Sequence, residues 1–531
     1  MTRHDEDPQV PQPTVVARAT PEGEGGLAVI RLSGERAAAI AGCVFRGPAL
    51  RSRGAVYGML HWPSATQDDV EQRLDIIDEV LVLYLPGPHS YTGEDTVEIF
   101  CHGGRQVAAL AVRACQAAGA EAAPPGEFTR RAFLSGRLTL DQAEAVADLI
   151  QAGSEQAARA AVAQLRGGLD AELGAVEWPL LDLLTRLEGS LEFSDDDAPE
   201  VDVPTTEARL VLDEAREGID RLLDLAPAGR LLREGIHVAL AGAPNAGKSS
   251  LFNRLAGSDR ALVDTEPGTT RDVVTAQVRR GGRLYVLHDT AGLREVVAPA
   301  GEAAARVEAR GIERARATAS DADLVLLVAE ARGDGAAVAW PRIGSAGTAD
   351  TTCAGARGGK AEGAAHAADA TTGAGASLRV LTKCDLVACA GTRAEGATCA
   401  GASGDGGASG DGGASGAAGA TGAIATSSLT GEGLDALWDA IERQITAWGL
   451  DEAMNLGVVL NERHRQRLLE CRDELVQLVA MLDVPAGHTA PGAEVLGTLL
   501  ASLLARLGEI SGRVFSEQML DGIFKRFCVG K

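Results

Sequence analysis

The sequence predicts a multidomain chain that combines α/β with all-α units, and three observations carry that expectation. Its 531 residues exceed what one hydrophobic core can serve, and roughly 100–200 residues per domain suggests three or four units. A glycine loop stands between an apolar run and a helical pattern, and opens an alternation of strands and helices. Segments with purely helical periodicity lie before and after that alternation.

Residues 1–137 read as mixed α/β. LAVIRLSG, EVLVLYLPGP and DTVEIFCHGG are apolar, β-branched runs bounded by Gly or Pro, the pattern of buried strands. Residues 138–234 read as helical: in LTLDQAEAVADLIQAGSEQAARAAVAQL, Leu140, Ala143, Val146, Ala147 and Ile150 recur at spacings of three and four. The periodicity continues through WPLLDLLTRLEGSLEF and TEARLVLDEAREGIDRLLDL, broken only by the acidic, Pro-containing SDDDAPEVDVP. Residues 235–448 alternate. Strands at GIHVALAG, RLYVLHDTAG, DADLVLLVAE and SLRVLTKCD are separated by helices, the order of a doubly wound parallel sheet. Two Ala/Gly/Thr/Ser tracts, near 331–377 and 387–422, interrupt this unit, the second containing GASGDGGASGDGGASG. They carry too little large apolar surface to offset ordering entropy and are expected to be disordered surface insertions. Residues 449–531 are helical again.

Composition narrows the function classes. A formal net charge of -24 argues against a general nucleic-acid binder, because phosphate contacts depend on Lys and Arg. Two local basic stretches stand out, TRRAF with Arg130 and Arg131 and NERHRQR with Arg463, His464, Arg465 and Arg467; each reads either as a binding patch or as a solvated helix face, the latter favoured. Nine cysteines show no C-x-x-C pairs or nearby His partners, so neither zinc nor a disulfide framework is expected. No stretch approaches the ~18 apolar residues of a membrane span, and the start lacks an apolar signal region, so a cytoplasmic protein with no membrane partner is expected. The closing KRFCVGK puts Cys528 at a prenylation position, but Gly530 and Lys531 do not match such a signal.

GAPNAGKSS matches the phosphate-binding loop G-x-x-x-x-G-K-[ST] with Gly242, Gly247, Lys248 and Ser249, between a predicted strand and a predicted helix. In such a loop backbone N–H groups approach phosphate oxygens, the Lys neutralises the β and γ charges, and the hydroxyl takes a magnesium position. Asn245, Ala246 and Ser250 complete the nucleotide-contacting stretch. TKCD (Thr382, Lys383, Cys384, Asp385) selects guanine: Asp385 accepts from the base edge while the Lys383 stem packs over the ring. Thr382 stands where Asn is usual, and its hydroxyl is expected to tie the loop to neighbouring backbone. ATSSLTGEG supplies Ser427, Ser428 and Leu429 beside the base. DTAG contributes Asp289, Thr290, Ala291 and Gly292 near magnesium and the γ-phosphate, and DTEPGTT contributes Asp264, Thr265, Glu266, Pro267, Gly268, Thr269 and Thr270, the last completing the magnesium shell. These segments, in this order, indicate a GTPase. Leu293 follows DTAG where many GTPases carry a water-orienting Gln, so either hydrolysis is crippled or another group does that work. Asn245 is placed to help hold a monovalent cation beside the phosphates.

The assembled motifs resemble the MnmE (TrmE) family, GTPases of tRNA wobble-uridine modification. The resemblance covers nearly the whole chain outside the Ala/Gly-rich tracts and rests on GEGGLAVIRLSG, PGPHSYTGEDTVEIFCHGG, PPGEFTRRAFLSGRLTLDQAEAVADLI, GSEQAARAAV, LLREG and the terminal FCVGK. It implies an α/β folate-binding and dimerising N-terminal domain (1–137), a discontinuous helical domain (138–234 and 449–531) and an inserted P-loop GTPase domain (235–448). It implies 5-formyl-tetrahydrofolate or a related folate, held by Arg31, Glu98, Arg137 and Lys531; a glutamate tail suits Arg or Lys, and pterin N–H groups suit a carboxylate. In the G domain it implies Mg2+ on Ser249 and Thr270 and potassium on Asn245, Asp264, Glu266 and Thr269. Glu308 aligns with the family's water-orienting glutamate, with Glu302 a rival because the preceding loop is about seven residues longer. Cys528 is implied as a conditional nucleophile or acid/base at the uridine, or else as a half-buried cysteine that positions folate.

The resemblance further implies a homodimer that joins the flavoprotein GidA (MnmG) in a hetero-tetramer. With that partner it would add an aminomethyl or carboxymethylaminomethyl group to C5 of the wobble uridine of certain tRNAs. Two rivals stand beside this reading: a non-catalytic GTP switch in ribosome assembly, and a folate-dependent member with a degenerate G domain.

Overall fold

A computed structural model of the chain describes residues 12–63, 75–192, 204–257, 274–289, 317, 318, 320–331, 376–385, 423–483 and 493–531. The chain divides into two compact units, one of Met1–Gln151, Ala161–Asp224 and Leu456–Lys531, the other of Ala152–Ala160 and Leu225–Asn455. Elements below are numbered in chain order over the described residues.

The first unit opens with β1 (Val15–Arg18), β2 (Leu27–Ser33), α1 (Ala37–Val44), β3 (Phe45–Arg46), β4 (Ala55–His61), β5 (Ile76–Leu85), β6 (Thr96–His102), α2 (Arg105–Ala117), β7 (Glu121–Ala122) and α3 (Glu127–Leu134). The seven strands form one sheet in the order β3-β4-β5-β6-β2-β1-β7, antiparallel except where β7 joins β1. Alternating side chains of β2, β5 and β6 face α1 and α2, so Ile30, Leu32, Val80, Val82, Val97 and Ile99 share a core with Ile40, Val44 and Ala111. The three predicted strands are β2, β5 and β6; β1 is too short to show a period of two, and Gly58 breaks the β-branched run of β4.

The same unit continues with α4 (Leu140–Gln151), α6 (Gly168–Glu192) and α7 (Thr205–Asp224), and returns in α12 (Glu462–Leu482), α13 (Ala493–Ser511) and α14 (Glu517–Phe524), while α5 (Glu155–Leu165) begins in the second unit and ends in the first. α12 packs on α7, and α13 packs on α6 and α12, so segments far apart in sequence build one helical layer. Leu468, Leu475, Leu500, Leu503 and Leu507 are completely buried there. A smaller cluster of Phe133, Leu140, Ala143, Leu520, Phe524 and Phe527 seats α14 against α3 and α4. The seam expected on α4 is rotated: Leu140, Asp141, Ala143, Glu144 and Ala145 are buried, whereas Ile150 is exposed. Two carboxylates occupy buried positions, Glu144 against Arg463 and His464 and Asp141 beside Thr139, which periodicity alone does not register.

Each basic stretch turns residues inward, although Arg465 keeps the solvated character expected of it, pairing with Glu462 at the surface. Arg131 is buried, donating to Glu127 and Glu94 and to the carbonyls of Ser33 and Pro13. His464 is fully buried, and Arg463 donates to Glu144 and to the carbonyls of Glu509 and Ile510. Neither residue is a solvated face or a free cationic patch; each neutralises buried acid.

The second unit holds α8 (Ala226–Glu234), β8 (Ile236–Gly242), α9 (Lys248–Gly257), β9 (Val274–Arg280), β10 (Arg283–Asp289), β11 (Leu324–Glu330), β12 (Ala376–Thr382), β13 (Ala423–Ala425), α10 (Leu434–Thr446) and α11 (Leu450–Leu456). Its sheet runs β13-β12-β11-β8-β10-β9, parallel apart from the β9/β10 hairpin. β11 reads LVLLVAE and is buried at its first six positions, as a central parallel strand covered on both faces must be. Ala331 continues the ladder by donating to the Thr382 carbonyl, and Ala376 and Ser377 already belong to β12, so the first Ala/Gly-rich tract is narrower than its composition indicates. The residues between, 332–375, and the tract 386–422 lie outside the described residues. No helix among the described residues is long and apolar enough to cross a membrane.

Candidate functional site

Two constellations emerge, one in each unit. In the second unit β8 lies between β10 and β11, and the loop from β8 to α9 leaves the carboxyl edge of the sheet where the strand order reverses. Gly242 permits this loop: a Cβ there would lie 2.2 Å from the Val328 carbonyl oxygen on β11. Asn245 and Gly247 both have positive φ, 65° and 87°, and turn the chain so that α9 begins at Lys248. Lys248 is buried, and its ammonium donates to the carbonyls of Gly242 (3.0 Å) and Ala243 (2.9 Å), which holds the cation over the loop. Ser249 and Ser250 are exposed in the first turn of α9, where N–H groups point outward and the helix dipole favours an anion. Asp289 ends β10, the strand adjacent to β8, and is buried.

The guanine-selecting loop meets the phosphate loop through Thr382. Its hydroxyl is fully buried and lies 2.5 Å from the Ala246 carbonyl oxygen and 3.2 Å from that of Ala329. Lys383 has φ of 59° and donates to Glu330 on β11. Asp385 accepts from the Ser427 hydroxyl at 2.7 Å, the Cys384 thiol lies against the Leu381 carbonyl, and Thr426 N–H donates to Leu381. Ser428 is half-buried and Leu429 is exposed at the rim. Thus Asn245, Ala246, Gly247, Lys248, Ser249, Ser250, Asp289, Thr382, Lys383, Cys384, Asp385, Ser427, Ser428 and Leu429 are carried on the loops at one edge of a single sheet. Residues 264–270, with Thr290, Ala291, Gly292, Glu302 and Glu308, lie outside the described residues.

The donor set suits the ions expected there. Hard oxygen ligands are what Mg2+ requires, and Ser249 at the helix start with the buried Asp289 carboxylate on the neighbouring strand is chemically consistent with it. Asn245 presents an amide from a left-handed turn of the same loop.

In the first unit Arg31 on β2 and Glu98 on β6 are paired in register; the guanidinium donates to Glu98 Oε1 through Nε at 2.9 Å, and Nη2 lies at the same distance in the ion pair. Its third nitrogen, Nη1, donates to the Gly530 carbonyl at 3.3 Å. The cation stands over two aromatic rings, Tyr91 at 5.4 Å and Phe128 at 5.6 Å, and the Tyr91 hydroxyl is hydrogen-bonded with Thr129. Lys531 is close enough to feel this pair: burial and then the Arg31 charge lower its pKa, while Glu98 and Cys528 oppose them. An acid and two cations therefore converge beside aromatic faces, a set able to read a carboxylate and a flat N–H-bearing ring. Arg137 is exposed and reaches the Pro88 carbonyl, on the loop that also carries Tyr91, at 3.3 Å.

Cys528 is exposed, not half-buried, although the backbone around it is held: Gly126 N–H donates to the Cys528 carbonyl and Phe128 N–H to that of Lys531. Tyr91, Phe128 and Gly126 escaped the residue-by-residue reading. Their segments, PGPHSYTGE and PPGEFTRR, were visible as motifs, but nothing local marks an aromatic as a floor beneath a distant cation.

Comparison with known proteins gives full-length matches. The family model described as the MnmE helical domain matches residues 140–528, and the one described as the GTP-binding protein TrmE N-terminus matches residues 14–137. The tRNA modification GTPase MnmE of Symbiobacterium thermophilum is 36% identical over 531 residues, spanning 98% of this chain and 99% of that protein. The proteins of the same name from Myxococcus xanthus and Rhodospirillum rubrum are 38% and 37% identical, each over 98% of this chain and 99% of their own length.

Proposed function

The chain belongs to the MnmE family of tRNA modification GTPases, and from that premise we propose a potassium-activated, folate-using member that acts as a cytoplasmic homodimer with the flavoprotein GidA (MnmG). Together the two would install an aminomethyl or carboxymethylaminomethyl group on C5 of the wobble uridine of certain tRNAs. The observation that carries the folate half is the meeting of Arg31, Glu98 and the tail at Gly530 and Lys531, from three distant segments, over the rings of Tyr91 and Phe128. In this reading Arg31, Lys531 and Glu98 together contact 5-formyl-tetrahydrofolate or a related folate. Glu98 accepts from its pterin N–H groups, and Arg137 approaches from the outer side of the Tyr91 loop.

In the G domain the phosphate loop holds the β- and γ-phosphates through its N–H groups and Lys248, and Asp385 with Ser427 reads guanine. Ser249 and Thr270 would hold Mg2+, which neutralises phosphate charge. Asn245, Asp264, Glu266 and Thr269 would hold potassium, which supplies the positive charge that an arginine finger supplies elsewhere. With Leu293 unable to orient water, a carboxylate beyond the switch, Glu308 or its rival Glu302, takes that role. GTP hydrolysis then gates conformational change rather than carbon transfer. In this reading Cys528, exposed at the end of a held backbone, attacks or protonates the pyrimidine.

GTP turnover in potassium against sodium buffer, with Glu308→Ala and Glu302→Ala alongside, tests the hydrolytic half. Potassium stimulation abolished in one variant identifies the carboxylate; equal slow turnover in both salts favours the degenerate-G-domain reading. A ribosome-assembly switch would leave the family match over residues 14–137 without a purpose.

A further inference from the structure

The last residues of the chain thread between the end of β1 and the start of α3 with almost no clearance. Gly530 is buried at φ of 93°, and a Cβ there would lie 2.1 Å from the Arg18 carbonyl oxygen and 2.9 Å from Ala19 Cα. On the facing wall Gly126 has φ of 72°, and a Cβ would lie 2.7 Å from the Phe524 carbonyl oxygen and 3.1 Å from Phe527 Cβ. The nearest obstructions are backbone atoms, which cannot swing aside as a side-chain tip does. Three hydrogen bonds then close the gap, from Gly126 N–H to Cys528, from Phe128 N–H to Lys531 and from Arg31 Nη1 to Gly530. By contrast, Gly522 in α14 has open space around its missing Cβ.

Arg31 links this tail to the pocket, since one guanidinium divides its donors between Glu98 and the Gly530 carbonyl. Moving the tail removes an acceptor that orients Arg31 and takes Lys531 away from it. We propose that Gly530 and Gly126 form a latch that holds the Cys528 backbone in register with Arg31, so that tail docking and binding of a carboxylate-bearing pterin stabilise each other. The coupling rests on the folate reading above; the latch does not. Gly530 and Gly126 are positioning residues, acting through the backbone of Cys528 and Lys531. The coupling is reciprocal by linkage, so ligand must tighten the tail by the factor that the docked tail tightens ligand.

The test uses the full chain as wild type, Gly530→Ala, Gly126→Ala and the control Gly522→Ala. Three readouts are hydrogen exchange of the peptide containing the Phe128 amide, iodoacetamide alkylation of Cys528 relative to Cys43, and 5-formyl-tetrahydrofolate affinity. A positive-φ L-residue and a backbone clash together exceed about 1.4 kcal/mol, so both latch variants should speed Phe128 exchange at least about tenfold and weaken folate binding. Gly522→Ala should match wild type. Should wild type bind no folate while the two variants still loosen Phe128, the latch stands and the folate reading falls. Wild-type exchange at Phe128 in both variants overturns the latch. Loosened tails with unchanged folate affinity overturn the coupling. If the variants fail to fold, wild type alone decides: saturating ligand must slow Phe128 exchange and change Cys528 alkylation, and no change in either sinks the proposal.

Discussion

Thr382 shows how one substitution in a motif changes a hydrogen-bond balance. A hydroxyl has a single proton, yet the Thr382 oxygen faces two buried backbone carbonyls, those of Ala246 and Ala329. The hydroxyl donates to the Ala246 carbonyl, the nearer of the two, which ties the guanine loop to the phosphate loop as expected from the sequence. An Asn side chain offers two N–H donors to the same two acceptors. Thr382→Asn is therefore expected to tighten GDP binding. Thr382→Val, which removes the hydroxyl that ties the Ala246 carbonyl to the guanine loop, should weaken it on the order of tenfold, about 1–2 kcal/mol. Titration with a fluorescent GDP analogue measures both, and a Val variant with wild-type affinity would show that the tie does not bear on the nucleotide.

At the scale of elements, α4 carries two buried carboxylates with opposite fates. Glu144 accepts from Arg463 and Asn461 and contacts His464; burial raises its pKa, but the His464 and Arg463 interactions outweigh that and hold it well below the usual carboxylate range. Asp141 has the Thr139 hydroxyl on one oxygen and no hydrogen-bond partner on Oδ2 among the described residues. Burial pushes it up to about 6 from an ordinary 3.8, with the Thr139 bond opposing and Asp170 and Glu144 adding to the rise. The folded state thus prefers Asp141 protonated. Its stabilising contribution is complete below about pH 3.8 and is lost as pH rises through about 6, leaving a cost on the order of 3 kcal/mol at neutral pH. Asp141→Asn should raise the Tm at pH 7.5, with the gain shrinking towards pH 4. Glu144→Ala should do the reverse at neutral pH, losing on the order of 3 kcal/mol because the fully buried His464 and the half-buried Arg463 are left without their acid. Thermal melts across that pH range separate the two, and a pH-independent Asp141→Asn effect would remove the titration argument.

At the scale of the whole molecule, the nucleotide loops belong to one compact unit and the Arg31 constellation to the other. A ligand that binds only the native form of one unit stabilises that unit by mass action, about 2.7 kcal/mol at a hundredfold excess over Kd. Calorimetry with GDP and Mg2+ is accordingly expected to raise the transition of the unit containing Leu225–Asn455 and to leave the other where it was. Lys248→Ala should abolish the shift. A single transition moved bodily by GDP would mean that the two units unfold as one.

How much of this was legible beforehand depended on whether the physics was local. A phosphate loop is a short contiguous backbone device, so Gly242, Gly247, Lys248 and Ser249 declare their role wherever a strand precedes them and a helix follows. The doubly wound sheet was equally legible, because strands such as LVLLVAE are apolar over their whole length when both faces are covered. The helical pattern was legible too, and Arg31, Glu98 and Lys531 fell on recognisable motifs, but the packing of α12 and α13 on α6 and α7, the floor of Tyr91 and Phe128 and the tail latch were not. Arg31, Glu98, Phe128 and Gly530 are brought together by a seven-stranded register and by the seating of α14 on Phe133 and Leu140. Likewise Arg131 and His464 look like surface charge until the acids they meet, buried Glu127 and Glu144 and half-buried Glu94, are folded around them. Sequence records a residue's own chemistry and its near neighbours. Burial, and with it the strength of a charge pair or the intolerance of a Cβ, belongs to the space that distant segments enclose.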